Sequence, residues 1–550
     1  MKAICIILLS FLSIITNICA QTNCKPGDAQ IDLDINELNV RLLNSGDLWW
    51  NLEEGRYIAP KAEPGFSEVS AIFAGGIWMG SIDPVGNLNL STVTYRGGDG
   101  SNSDYIPGPL DGQTGQQIEN ACFDWDLFWE VTSDEIEAHK ADFADNGIID
   151  NPLPNIFKWP GRDNSEFDQY FNFQLPFAQS LAPFVDVDNN FVYNPENGDY
   201  PEIKGDQAIW WVFNDSGQHT ASFGNPNNVE VQVMAYAYKD VSTNMDRTSF
   251  YEFKCINRNS SPTSNFHFGF FSDFDLGCSS DDYVGFDTDN SMMFAYNMDA
   301  EDGDLGTNCG ATPTYNTTIP MVGISLIEAS GDLPVSSFSY FRRLADQDPS
   351  STLEYWNSLN GLTRDGQAFS YGDDGYSTSP DSTTKYMFTG DPSIENEWSM
   401  CSTDMPMDDY RALMSIKVGD FFPGQIFEAS FAVVFVEDIP HPCPSLGPIK
   451  EAAAEANQLL ATNTQEISID QHAFKIDIQP NPSNDIIKIE GSDLLKELTI
   501  LNVSGQLVKS YKNIHKTKLI LDLSTMNRGQ YFLKIMNIDG DFQTKKIIKI

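Results

Sequence analysis

The sequence predicts a mostly β protein: a β-sandwich-rich, multi-domain body followed by a small C-terminal β-sandwich. Three observations carry this. Forty Gly, 29 Pro and 12% aromatic residues occur with little helical periodicity, which is the composition of short strands joined by tight turns. Runs such as Gln207–Asp215 and Glu230–Tyr238 are apolar, β-branched and aromatic, as buried strands are. Charge then divides the chain: residues 474–550 hold 12 Lys and Arg against 8 Asp and Glu, and the rest holds 21 against 70. An asymmetry of that size marks two separately built units.

Residues 1–20 read as a secretory signal, with Lys2, an apolar core from about Ile4 to Ile15, and Ile18-Cys19-Ala20 as the cleavage site. That core is too short to span a bilayer, and no later run reaches about 18 apolar residues. The mature chain is therefore expected to be exported, with no transmembrane segment. A net charge of −45 argues against nucleic acid or an anionic membrane as partner. It is met either by solvation or by bound divalent cations.

Seven cysteines follow the signal, too widely spaced for a zinc site, and an oxidising compartment favours disulfides. Cys255 alternates with Tyr251 and Phe253 on one strand face and is expected as a buried free thiol. Cys24, Cys122, Cys278, Cys309, Cys401 and Cys443 can make three bridges. Cys278–Cys309 is the favoured pair, across a turn-rich acidic loop, and the rest of the pairing stays open.

Residues 21–165 form an N-terminal β-rich region, with short strands in Ala71–Gly80, Leu90–Arg96 and Leu127–Val131. A helix is expected from an N-cap at Ser133 to about Phe143. Trp49, Trp50, Trp78, Trp125 and Trp129 could form a sugar platform, although such residues are more often core anchors. Residues 166–445 form a large β-sandwich region with longer strands, including Ser249–Arg258, Phe266–Phe274, Met321–Ala329 and Phe427–Glu437. Both faces of Ala208–Phe213 are apolar, so that strand is expected to be central and covered on both sides. Residues 346–408 show few strand patterns and are expected as long loops. Residues 446–473 give a helix at about Ile449–Ala461, with Ile449, Ala453, Ala456 and Leu460 in one stripe and Pro448 in its first turn, and then a polar linker. No repeat stands out at solenoid or propeller spacing.

Two acidic stretches are candidate metal sites. In the first, oxygen donors at positions 1, 3, 5 and 7 match a Ca²⁺-wrapping loop: Asp186, Asp188, Asn190 and the carbonyl of Val192. Against it, Phe191 holds the position where Gly permits the sharp turn, and Asn197 holds that of a bidentate carboxylate. Asp199 could replace Asn197. The second stretch carries Asp273, Asp275, Asp281, Asp282, Asp287 and Asp289 with no Lys or Arg among them. Carboxylates so crowded repel unless solvated, protonated or bridged by a cation. Oxygen donors without His or thiolate select Ca²⁺, the expected cofactor at both stretches.

Catalytic motifs are missing: no His-Glu-x-x-His, no Gly-x-Ser-x-Gly and no phosphate-cradling Gly loop. The six histidines are scattered, and no catalytic residue is named. A glycosidase needs only two suitably placed carboxylates, so a secreted polysaccharide-acting hydrolase stays open as the alternative to binding.

The C-terminal unit, residues 474–550, alternates Ile476 with Ile478, Ile487 with Ile489, Leu498 with Ile500, and Tyr531 with Leu533 and Ile535. Turns fall at Pro480-Asn481-Pro482, Ser504-Gly505, Arg528-Gly529 and Asp539-Gly540. The ordered set of Pro480–Asp485, Leu501–Val508, Leu521–Ile535 and the basic Lys545–Ile550 resembles the type A C-terminal sorting domain of the bacterial type IX secretion system. The resemblance implies that Pro480, Asn481, Pro482, Gly505, Gly529 and Tyr531 belong to a sorting signal. It also implies the type IX machinery as partner, transit through the periplasm, and cleavage near residues 462–472.

The body is similar, over most of residues 30–440, to large type IX cargo proteins of the Bacteroidota. The likeness rests on segments such as Ala71–Ser81, Tyr105–Gly112, Ala182–Asp215 and Ser272–Asn290. In that family the first acidic loop reads Asp-x-Asn-Gly-Asp-Gly-x-Tyr. Asp186 and Tyr193 match, and residues 188–191 depart. This likeness implies placement at the cell surface or outside the cell and brings no activity with it. The combined expectation is a secreted, Ca²⁺-stabilised β protein that binds an extracellular glycan or cell-surface ligand.

Overall fold

The computed structural model describes residues 24–62, 65–96, 101–177, 179–303, 309, 312–343, 347–376, 382–466, 476–502, 507–537 and 542–550. Two nine-stranded antiparallel sheets form the body. The first runs Gln30–Leu33, Asn39–Leu43, Asp47–Leu48, Ala74–Ile82, Thr263–Asp273, Tyr410–Phe421, Val335–Arg342, with Tyr57–Ile58 added beside Asn39–Leu43 and Leu88–Ser91 beside Ala74–Ile82. The second runs Asp282–Asp287, Met292–Asn297, Met321–Ala329, Ile426–Val436, Thr248–Asn257, Val229–Ala237, Gln207–Asn214, Ile106–Pro107, with Trp129–Thr132 also paired to Gln207–Asn214. Strands from both sides of residue 165 enter both sheets, so the N-terminal region and the large β region share one core.

The sheets face each other through aromatic rings. Phe253 of the second sheet lies 5.6 Å from Phe268 and 5.7 Å from Phe270 of the first, and Phe431 lies 4.8 Å from Phe270. Trp49 Nε1 donates to the Tyr251 hydroxyl at 2.9 Å, satisfying a polar group inside this layer. Every residue of Gln207–Asn214 is buried, as its two apolar faces foretell. On one face Trp210 lies beside its cross-strand partner Trp129 at 5.6 Å, and Phe167 and Phe171 pack against Trp129. Trp49, Trp50, Trp78, Trp125 and Trp129 are all buried, so they act as core anchors rather than a sugar platform.

The helix Gly447–Glu466 packs over Met321–Ala329 and Ile426–Val436 with Ile449, Ala453, Ala456 and Leu460 buried. Gly323 permits this approach, because a Cβ there would come within 3.0 Å of Ile449 Cδ1. The helix takes up the start of the expected linker. The helix Ser133–Asn146 is capped by Thr132, one residue before the expected Ser133. Thr132 and Glu135 form a reciprocal capping box, which Ser133 in that sequence cannot. Within the expected long loops of residues 346–408 lies the helix Thr352–Leu359, whose Tyr355 meets Trp78 edge-on at 4.9 Å. The bridges are Cys24–Cys122, Cys278–Cys309 and Cys401–Cys443, and Cys255 is free and buried.

The C-terminal unit is a five-stranded antiparallel sheet of Ile476–Gln479, Ile486–Asn502, Gly529–Asn537 and Phe542–Lys549, with Leu507–Asp522 on the flank of Ile486–Asn502. Register breaks between Glu490, Leu495 and Glu497 divide the longest strand. Such breaks bend a strand, and Ile487 and Ile489 from one half share a core with Leu498 and Ile500 from the other. That core is separate from the body's. Residues 1–20, Phe474, Ser504-Gly505 and Asp539-Gly540 lie outside the described residues. No helix among the described residues is long and apolar enough to cross a membrane.

Candidate functional site

The first acidic loop lies between the short paired strands Phe184–Val185 and Tyr200–Pro201. Asp186 accepts the N–H groups of Asn190 and Phe191 at 3.1 and 2.7 Å, and Asp188 accepts that of Asn190 at 3.2 Å. Asn190 Oδ1 in turn accepts the Val192 N–H at 2.8 Å. Asp199 is fully buried and accepts the N–H groups of Val187 and Asn194, each at 2.8 Å. Oxygens of Asp186, Asp188 and Asp199 lie within 4.8 Å of one another, so Asp199 does join the pair from a distance. Burial raises the Asp199 pKa, against the pull of its two N–H donors. Phe191 takes φ 64°, the left-handed conformation that a Gly would supply without strain. Asn197 donates its amide to Asp188 at 3.4 Å.

The structure sends the six aspartates of the second stretch to three places. Asp273 ends the strand Thr263–Asp273, and together with Asp275 it meets Asp409, one oxygen of each within 4.8 Å of the others. Arg411 pairs with Asp273 at 3.2 Å, Asp409 at 3.0 Å and Asp348 at 2.8 Å. Burial raises the Asp273 pKa, which Arg411 only partly offsets, and burial followed by the field of Asp273 raises Asp275 well above the ordinary range.

Asp281 and Asp282 lie at the start of Asp282–Asp287, close to Asp302. Asp281 Oδ2 accepts the Gly303 N–H at 2.9 Å, Asp282 Oδ2 that of Leu276 at 2.8 Å, and Asp302 Oδ1 that of Cys278 at 3.0 Å. Burial is the main cause that raises all three, Asp281 to about 6 and Asp302 to about 7, and no arginine or lysine offsets it. Asp287, the last residue of that strand, and Asp289 just beyond it instead face Lys450 of the long helix at 3.1 and 4.0 Å.

Four buried oxygens in this region have no hydrogen-bond partner: Oδ1 of Asp275, Asp281, Asp282 and Asp409. Among the described residues only one other buried carboxylate oxygen, that of Asp246, is in this state. Buried polar atoms without partners are rare and call for an explanation such as an ion. Sequence reasoning missed Asp302, Asp348, Asp409 and Arg411. Asp409 and Arg411, two residues apart where the strand Tyr410–Phe421 begins, were the available signal. Four histidines outside these clusters bond backbone carbonyls: His139 to Asp199, His219 to Leu90 and Asp215, His267 to Asn265, and His441 to Ile439.

In the C-terminal unit, Asn481 grips the final strand with both ends of its amide, donating to the Lys546 carbonyl at 2.7 Å and accepting the Ile548 N–H at 2.9 Å. Pro480 and Pro482 flank it, each after a cis peptide bond. The Tyr531 hydroxyl donates to the Asn527 carbonyl at 2.9 Å, and Gly529 pairs with Lys549. Gly505 lies outside the described residues.

Residues 477–550 match the family described as secretion system C-terminal sorting domain. The C-terminal unit is thus a sorting domain of the type IX secretion system. It directs export to the cell surface or the medium and implies contact with the secretion machinery. No curated protein matches the chain. Among solved structures, a polysaccharide lyase aligns with 68% of this chain and 40% of its own length, at 7% identity and a TM-score of 0.17. The chain spans about two fifths of that enzyme, and a likeness so low carries no argument.

Proposed function

We propose that the body is a Ca²⁺-stabilised binding or adhesion module. Its sorting domain delivers it, after transit through the periplasm, to an extracellular glycan or cell-surface ligand. The observation that carries the calcium reading is the set of four unpartnered carboxylate oxygens around Asp275, Asp282 and Asp409.

Calcium should raise the melting temperature beyond sodium chloride of equal ionic strength. Binding to the native state alone contributes about 2.7 kcal/mol at a hundredfold excess over Kd, a shift of a few degrees for a chain of this size. Equal melting temperatures in chelator, calcium and matched salt would sink the calcium reading. A purified body that cleaves polysaccharide would replace the binding module with the hydrolase. Deleting residues 474–550 should leave the body in the periplasm. Wild-type amounts of the truncated protein at the surface or in the medium would contradict delivery by this domain.

A further inference from the structure

We propose that the sorting domain docks on the body through a second face of its sheet, so that the two travel as one unit rather than as two units on a string. The strands of that sheet have two sides. Tyr531, Leu533 and Ile535 share the domain's own core with Leu498 and Ile500. Phe532 and Lys534 on one strand, and Thr499 and Leu501 on its neighbour, point the other way, because side chains alternate along a strand. Register extends this outer side over three strands. Leu501 lies opposite Phe532, Thr499 opposite Lys534, and Lys534 opposite Thr544.

An outer face without a partner would leave its apolar side chains in water. Here Phe532 and Leu501 are each 8% exposed, although neither belongs to the domain's core. What covers them is the body. The Phe532 ring lies 4.7 Å from that of Phe422, and the Thr544 hydroxyl donates to the Pro423 carbonyl. Phe422 and Pro423 lie in the turn between Tyr410–Phe421 and Ile426–Val436, one strand from each sheet of the body. Pro423 is buried, whereas such turns ordinarily run over the surface. A space of about 160 Å³ is left between the two units, bounded by Gly115, Arg258 and Pro423 on the body and by Thr499, Leu501 and Lys534 on the sorting domain. The two surfaces meet without closing fully.

The body's side of the join is built from its own contacts. Glu230 holds Arg258 through two nitrogens, at 3.1 and 2.8 Å, and Asp111 accepts the N–H groups of Gln113 and Thr114 at 3.1 and 2.7 Å. The turn so made lies against Arg258 closely enough that a Cβ on Gly115 would fall 2.0 Å from the Arg258 carbonyl oxygen. A surface fixed in this way loses little freedom on docking. Charge favours the approach, since the sorting domain carries more basic than acidic residues and the rest of the chain far more acidic than basic. One local feature opposes it. Burial, and after it the charge of Arg258, lowers the Lys534 pKa, so two like charges face each other across the join. The hold therefore comes from the Phe422–Phe532 pair and Leu501, and a contact limited in this way can open again.

The test is a disulfide trap in the mature full chain. Pro423→Cys combined with Thr544→Cys should cross-link under mild oxidation, followed by non-reducing mass spectrometry. Docking raises the local concentration of the two thiols, so this pair should react at least about tenfold faster than Pro423→Cys combined with Ile520→Cys. Ile520 is 67% exposed on the flanking strand Leu507–Asp522. Adding Phe532→Ser to the first pair should slow its cross-linking by about tenfold, and so should Phe422→Ser from the body's side. Should Phe532→Ser unfold the sorting domain, Phe422→Ser decides. Equal rates for the two cysteine pairs would overturn the docking. A first-pair rate indifferent to the loss of the Phe422–Phe532 contact would show that this face does not hold the domain, and would overturn the proposal as well.

Discussion

Two buried acidic regions of this protein are settled in opposite ways. Asp47 is fully buried, and both its oxygens are occupied. Arg96 donates to them at 2.8 and 2.7 Å, and Trp50 adds a third bond at 2.8 Å. Glu230 is likewise held by Arg258 and by the Leu110 N–H. Asp104 and Asp215 have no arginine but are wrapped by backbone N–H groups from Thr92, Ser222, Asn227 and Val229. Around Asp275 and Asp282, by contrast, free oxygens accumulate. A high overall negative charge does not explain this, because the same chain satisfies Asp47, Glu230, Asp104 and Asp215. The shortfall is local, and so is its remedy.

The largest effect should come from breaking the satisfied region. Arg96→Met leaves the Asp47 carboxylate buried without its counter-ion, and removing one partner of such a pair costs about 3–5 kcal/mol. Urea unfolding should show a loss of that order. A loss below about 1 kcal/mol would mean that Asp47 is hydrated or neutral in the native state, and the contrast with Asp275 would dissolve.

The contrast also separates what the sequence reveals from what it hides. The sorting domain was legible because its signals are local: turn residues, period-two alternation and a change of charge all fall within the segment. Cys255 and the Cys278–Cys309 bridge were legible for the same reason. Asp199 was legible as the substitute for Asn197 because it lies in the same loop. The second acidic stretch was not divided correctly, since its partners arrive through the sheet from far along the chain. Lys450 takes Asp287 and Asp289, Arg411 and Asp409 take Asp273 and Asp275, and Asp302 joins Asp281 and Asp282. Strand pairing of that range is fixed by tertiary packing, which no window of local residues contains. The shared core of residues 21–165 and 166–445 was hidden for the same reason.

A buried base should obey the same solvation rule with the sign reversed. His267 is 3% exposed, bonded to the Asn265 carbonyl, and its pKa is lowered to about 4, chiefly by burial, with Lys417 and Lys385 adding to the effect. The unfolded chain, near 6.5, takes up a proton first as pH falls. Stability tied to this residue is therefore intact above about 6.5 and lost on the way down to about 4. At pH 5 the loss comes to about 2 kcal/mol. His267→Gln should flatten the stability profile between pH 7 and 5 by that amount. An unchanged slope would show that His267 reaches water in the native state.

The smallest effect expected lies in the first loop, which differs from the second in being built from backbone hydrogen bonds rather than strand ends. Phe191 sits there at φ 64° with its ring 45% exposed. A left-handed conformation costs an ordinary side chain about 1–2 kcal/mol. Glycine removes that cost but gives back about 0.5–1 kcal/mol through the greater freedom of the unfolded chain. Just under half of Phe191 is already in water, and burying the remainder contributes roughly 1 kcal/mol. The three effects nearly cancel, so Phe191→Gly should change stability by less than about 0.5 kcal/mol, while relieving the backbone strain beside Asp186, Asp188 and Asp199. A melting temperature lowered by the substitution would mean that the Phe191 ring packs usefully where it stands. The departure from the glycine pattern would then be a structural choice of this chain rather than a tolerated strain.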